Sequence, residues 1–173
     1  MFDCLIFPLE EIKNIKDNYM RNNNIQINNN ITINDCFSYN QRLEYYTGDN
    51  KNYCNTCNQF NDCCYKNKIY FSPKILILIM KRDQENEYNL FFEEELDISE
   101  FVYSKDVPLL KYNLYGVISD IGKKNISHFV SSCKSSIDNK WYRYDDTKVI
   151  PITNVEKDVI QYGNPYILFY KKL

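Results

Sequence analysis

The sequence has a single histidine, His128, and little glycine: four residues in 173, with no alanine at all. Any imidazole chemistry must therefore rest on position 128. The shortage goes with heavy use of Tyr, Asn, Ile and Lys, a compositional habit that carries no function of its own. An excess of charge is missing too. The 21 basic and 23 acidic residues are intermixed, giving a net charge of −2 and an isoelectric point near 5.5. That balance gives no electrostatic reason to expect nucleic acid or an anionic membrane as a partner. No stretch reaches the roughly 18 apolar residues of a membrane span. The longest greasy run is the strand-sized KILILIM at 74–80. The first twenty residues lack the pattern of a signal peptide. Seven cysteines without one point to a reducing compartment, cytoplasm or nucleus, where thiols or metal ligands come before disulfides.

What is present reads mostly as strands, in a chain long enough for one domain or a piece of a larger one. MFDCLIFPLEEI (1–12) begins as an extended apolar stretch. The Asn-rich residues 20–34 read as a flexible surface loop, after which Asn34 or Asp35 is placed to cap a short helix through about Gln41. Extended segments around QRLEYY and NYC are joined by the turn TGDN at 47–50. Pro73 leads into KILILIM, whose unbroken apolar run predicts a strand buried on both faces. Residues 111–122, 128–133, 140–146 and 165–173 supply four more strands, and VEKDVIQY (155–162) a late helix. No internal repeat is present. The sum is a β-rich α+β domain dominated by an antiparallel sheet.

The chemistry concentrates in ISHFVSSCKSSIDNKWYRYDDTKV, residues 126–149. A hairpin turning near 135–139 sets Asp145 opposite residues 128–132, within reach of His128. A carboxylate there would hold one imidazole tautomer and leave the other nitrogen free as a general base. On residue types alone, a satisfied histidine at a strand start beside two aspartates in a polar turn is the favoured account of the pair.

The surrounding motifs resemble the ubiquitin-specific proteases, papain-like cysteine deubiquitinases that hydrolyse bonds to the C-terminus of ubiquitin. KYNLYGVISDIG, SHFVSSC, DNKWYRYDDTKV and YILFYKK follow one another as that family's C-terminal signature does. FSPKILILIMKR (71–82) is similar to its Pro-Lys strand, ITINDCFSY (31–39) to its short helix, and GDNKNYCNTC (48–57) to its zinc knuckle. The resemblance covers essentially the whole chain. It implies the C-terminal portion of the catalytic domain over 1–173: most of an antiparallel palm sheet, a partial β-finger over 42–72, and no N-terminal thumb half. It also implies ubiquitin and ubiquitinated proteins as partners, no nucleic acid, no membrane, and no required cofactor. His128 falls on the catalytic histidine, Asp145 on the residue that orients it, and Asp146 on a second acidic position with a weaker claim. The chain departs from the pattern at Ile126-Ser127, where the family has Gly-Gly, at Phe129, where it has Tyr, and at Asp120, where it often has His. Glycines there would let backbone approach the narrow ubiquitin tail without obstruction by side chains.

The family's nucleophile sits in a Gly-Asn-Thr-Cys box that this sequence lacks. NTC at 55–57 has no preceding glycine and belongs to a Cys-x-x-Cys, Cys36 lies in the short helix, and Cys133 matches no nucleophile position. Cys54 and Cys57 have the spacing of half a tetrahedral zinc site. The family's partner pair lies upstream, and the adjacent Cys63 and Cys64 are poorly shaped for chelation. The expectation is therefore a deubiquitinase by family, inactive as this chain alone, with two reduced thiols rather than a filled zinc site. A non-catalytic remnant that binds ubiquitin or a partner is the alternative. An incomplete gene model whose upstream half carries the box is a third.

Overall fold

The computed structural model describes residues 2–82, 88–103, 110–122 and 126–173. Its centre is an eight-stranded sheet. Seven strands lie in the order β1 (Phe2–Pro8), β7 (Ile75–Lys81), β14 (Asn164–Lys172), β10 (Lys111–Asp120), β11 (Phe129–Lys134), β12 (Trp141–Asp145) and β13 (Lys148–Ile152), while β9 (Glu95–Asp97) also pairs with β10. Every pairing in it is antiparallel except β1 with β7, so the sheet is mixed rather than purely antiparallel. The β-rich α+β architecture dominated by antiparallel pairing is what the sequence predicts, and the one parallel pair adds to it.

Period-two burial explains the layout. In β7, Leu76, Leu78 and Met80 are fully buried while Ile75, Ile77 and Ile79 are half-buried. The expectation of burial on both faces is therefore corrected. The covered face continues across the sheet through Leu168 and Tyr170 of β14 and Tyr112, Leu114 and Val117 of β10. Against it pack α1 (Leu9–Asn22), α2 (Ile33–Asn40) and α3 (Val155–Tyr162). Phe37 of α2 meets Phe7 edge-on at 5.6 Å and stacks on Phe101 at 4.9 Å, tying helix, edge strand and loop into one core. The Tyr112 hydroxyl donates to the Pro73 carbonyl at 2.7 Å, and that of Tyr170 to the Glu93 carbonyl at 2.8 Å. Both buried rings thus have their polar ends satisfied.

The Asn-rich loop expected over 20–34 shrinks to residues 23–29. Helix α1 runs through Asn22, β2 (Asn30–Thr32) pairs with β8 (Asn89–Phe91), and α2 begins at Ile33. The cap of α2 is Thr32, not Asn34 or Asp35. Its hydroxyl accepts from Asp35 N at 3.1 Å while the Asp35 carboxylate accepts from Thr32 N at 2.8 Å, a reciprocal capping box. Two small ladders stand off the main sheet: β3 (Glu44–Tyr46) with β6 (Cys63–Tyr65), and β4 (Asn52–Cys54) with β5 (Gln59–Asn61).

Candidate active site

The hairpin of β11 and β12 turns at residues 135–139, where Asn139 adopts a left-handed backbone (φ 58°) and Ser135 N donates to Lys140 O at 2.8 Å. The turn fixes the register: Lys134 pairs with Trp141 and Ser131 with Tyr144. One step further out, Asp145 ends β12 beside the start of β11. There His128 Nε2 lies 2.7 Å from Asp145 Oδ1. In the neutral ring this bond places the proton on Nε2 and leaves the Nδ1 lone pair free. His128 is 40% exposed and Asp145 29%, so the pair is reachable from solvent. The hydrogen bond to Asp145 raises the His128 pKa above its ordinary 6.5, with further help from the charges of Asp145, Asp146 and Asp120. Asp146 follows at the turn into β13 with φ 49°, a conformation that Asp tolerates better than most residues. Donor atoms of His128, Asp145 and Asp146 converge within 4.8 Å.

The strand carrying Asp145 is anchored two residues upstream of it. Arg143 Nη1 binds both Asp158 oxygens of α3 at 3.1 and 3.0 Å, and its guanidinium lies 3.9 Å from the centre of the Tyr162 ring. Trp141 Nε1 donates to Glu94 at 3.1 Å. On the other side, Asp120 at the end of β10 accepts from the backbone of both Gly122 and His128. Residue-type reasoning assigned Asp120 no such role, because the contact joins a side chain to a backbone group eight residues away.

The cysteines lie elsewhere. Cys36 is fully buried in α2, and burial pushes its thiol pKa well up. Cys133 pairs with Gly116 and Tyr142, five residues along from His128, roughly 16 Å at strand rise. Burial raises its pKa as well. Cys54 closes β4, and backbone and side-chain hydrogen bonds from Cys57 lower its pKa. Asn61 donates to Cys57 Sγ at 3.0 Å and Asn52 to Cys63 Sγ at 3.2 Å. Among the described residues no third Cys, His, Asp or Glu joins Cys54 and Cys57 in a metal-sized cluster, so the donor set does not fit a four-ligand zinc site. No described helix is long and apolar enough to cross a membrane.

The fold and this hairpin define a class. Residues 3–170 match the ubiquitin carboxyl-terminal hydrolase family, and the chain belongs to it. Among curated relatives it is 30% identical to ubiquitin carboxyl-terminal hydrolase 17-like protein B of Mus musculus over 135 residues, 75% of this chain and 28% of that protein. It is 31% identical to ubiquitin carboxyl-terminal hydrolase 2 of Gallus gallus over 132 residues, 72% of this chain and 36% of the relative. A SAGA Ubp8/Sgf11/Sus1/Sgf73 DUB module bound to ubiquitin aldehyde contains a chain that superposes with a TM-score of 0.66 at 24% identity. The match covers 83% of this chain and 35% of that one, and it speaks for the fold. The chain thus spans about a third of the length of those two structural and avian counterparts.

Proposed function

We propose that this chain carries the base-and-orienter half of a cysteine-type deubiquitinase site, with His128 as general base, Asp145 as its orienter and Asp146 in a lesser electrostatic role. The observation that carries the reading is the 2.7 Å contact of His128 Nε2 with Asp145, which leaves Nδ1 free, in a member of this family. In the reaction, Nδ1 takes the proton of a cysteine thiol and the thiolate attacks the carbonyl carbon at the end of the ubiquitin tail. The imidazolium then returns the proton to the leaving lysine amine as the C–N bond breaks, and water hydrolyses the thioester left behind. Asp145 holds the ring and favours its charged form throughout.

None of the seven cysteines suits the nucleophile. Cys36 is sealed in the core, Cys133 is remote along its strand, and Cys4 lies on β1, four strands away from β11. Cys63 and Cys64 lie in β6 off the main sheet, and Cys54 with Cys57 sits at the tip of a separate hairpin. The chain by itself is therefore inactive, and activity needs a cysteine supplied by a further segment or partner. No cofactor enters this chemistry. The partner is ubiquitin or a ubiquitinated protein, and seven free thiols suit the cytoplasm or nucleus. A binding remnant is the second reading. It is favoured by Ile126, which stands 74% exposed beside Ser127 at the approach to His128, where a narrow peptide tail would need room.

The test is an electrophilic ubiquitin-tail probe applied to the purified chain and to each Cys→Ala variant. No labelling is expected. Labelling abolished by one substitution would reveal a nucleophile within the chain. Labelling gained on fusing an upstream Gly-Asn-Thr-Cys segment supports the split protease over the binding remnant.

A further inference from the structure

We propose that Asp120 is a positioning residue for His128, setting the imidazole against Asp145 by tying together the two ends of the loop that precedes it. The proposal rests on the reading of His128 as the general base.

Strands β10 and β11 pair out to Asp120 and Phe129, so the loop over 121–128 leaves and returns at the same point. Among the described residues, three bonds join its two ends to each other or to Asp120. Ile121 N donates to His128 O at 2.8 Å. One oxygen of Asp120, Oδ1, accepts from Gly122 N at 2.9 Å and from His128 N at 3.2 Å. A single carboxylate oxygen therefore grips the outgoing limb of the loop and the backbone of the histidine itself. Among the described residues, the His128 ring has one side-chain hydrogen bond, to Asp145. Holding the His128 backbone at both N and O decides where that ring is presented. This matters because a base must sit within hydrogen-bond reach of the proton it takes.

Two glycines fit around the device. A Cβ on Gly122 would lie 2.0 Å from Ile126 O and 2.9 Å from Asp120 Oδ1, so the loop folds directly over position 122. A Cβ on Gly163 would lie 2.9 Å from Asp120 O and 2.5 Å from Ile121 Cγ2, so the entry to β14 presses on Asp120 from the other side. Among the described residues, the charged groups that act on the imidazole are Asp120 of β10, Asp145 of β12 and Asp146 in the turn after it. Asp120 thus contributes to the field as well as to the geometry.

Because His128 is the only histidine, its ring can be read alone by nitrogen-detected NMR in the whole chain. Two quantities decide: the titration midpoint, and the tautomer shown by the Nδ1 and Nε2 shifts. In Asp120→Ala the midpoint should move down, in the direction of Asp145→Ala but less far, and the single tautomer should give way to a mixture. In Asp120→Asn the acceptor oxygen remains, so the tautomer should persist while the midpoint drops slightly. An Asp120→Ala chain that stays folded by circular dichroism with wild-type midpoint and tautomer would overturn the proposal. Should that variant not fold, Asp120→Asn decides: a lowered midpoint with the tautomer kept supports the proposal, and a wild-type midpoint overturns it. No nucleophile is involved, so this result stands apart from the ubiquitin-probe assay of the catalytic reading.

Discussion

Arg143 and Asp158 join β12 to α3 through two contacts of 3.0–3.1 Å, with side chains only 12% and 14% exposed. Two residues further on, the same strand presents Asp145. The ion pair therefore fixes the depth at which that carboxylate meets His128.

Arg143→Ala leaves Asp158 largely buried without its partner, which costs on the order of 3 kcal/mol. It also removes the cover over Tyr162. Urea unfolding should show the loss, and the His128 ring shifts should change with it. An Arg143→Ala, Asp158→Ala double variant should recover part of the stability, since no unpaired charge remains.

The bond from Asp145 gives His128 a pKa above 6.5 in the folded chain. A group whose folded pKa exceeds its unfolded value binds its proton more tightly when folded. Its stabilisation is complete below the unfolded pKa and is lost as pH rises through the folded one. The stability gap between wild type and Asp145→Asn should therefore be wider at about pH 5.5 than at about pH 8.5. Denaturant titrations at both values check this, and a gap that widens with pH would contradict it.

Gly122→Ala forces a Cβ against the Ile126 carbonyl, a backbone atom that cannot rotate away. We expect a cost of roughly 1–3 kcal/mol and a displaced His128 resonance, with the rest of the sheet unchanged. Amide exchange would show the effect confined to the hairpin of β10 and β11.

Phe37→Ala removes a ring held between Phe7 and Phe101 at full burial, and roughly 3–5 kcal/mol is the expected loss. Thermal unfolding followed by circular dichroism measures it. Retention of wild-type stability would mean that α2 is not part of the cooperative core.

Elements whose pattern is local could be read directly from the sequence. Helix α3 spans Val155–Tyr162 as its pattern predicts, capped by the Asn154 side chain on Lys157 N. The register that brings His128 to Asp145 depends on one short turn, so counting residues sufficed. Helix α1 was harder to see. Its polar Asn and Lys residues dilute the stripe of Leu9, Ile12 and Met20, and it is supported by an ion pair between Lys13 and Asp17 rather than by strong propensity. Strand β13 escaped because Pro151 and an exposed Val149 suit an edge strand, where the ladder tolerates what a central strand does not. Thr32 was passed over as a cap because Asp35, three residues on, supplies the other half of the box.

The place of β14 has a consequence for how the molecule is made. This strand is the last in sequence, yet it lies between β7 and β10, in the interior of the sheet. Until it has been synthesised, β1 and β7 form one ladder and β10 to β13 another, with no strand pairing between the two among the described residues. During translation the nascent chain must therefore hold two incomplete half-sheets, each with a bare edge, and join them only when residues 164–172 emerge. A stop codon shortly before that segment would not yield a slightly shortened protein. It would leave two ladders without the strand that pairs with both.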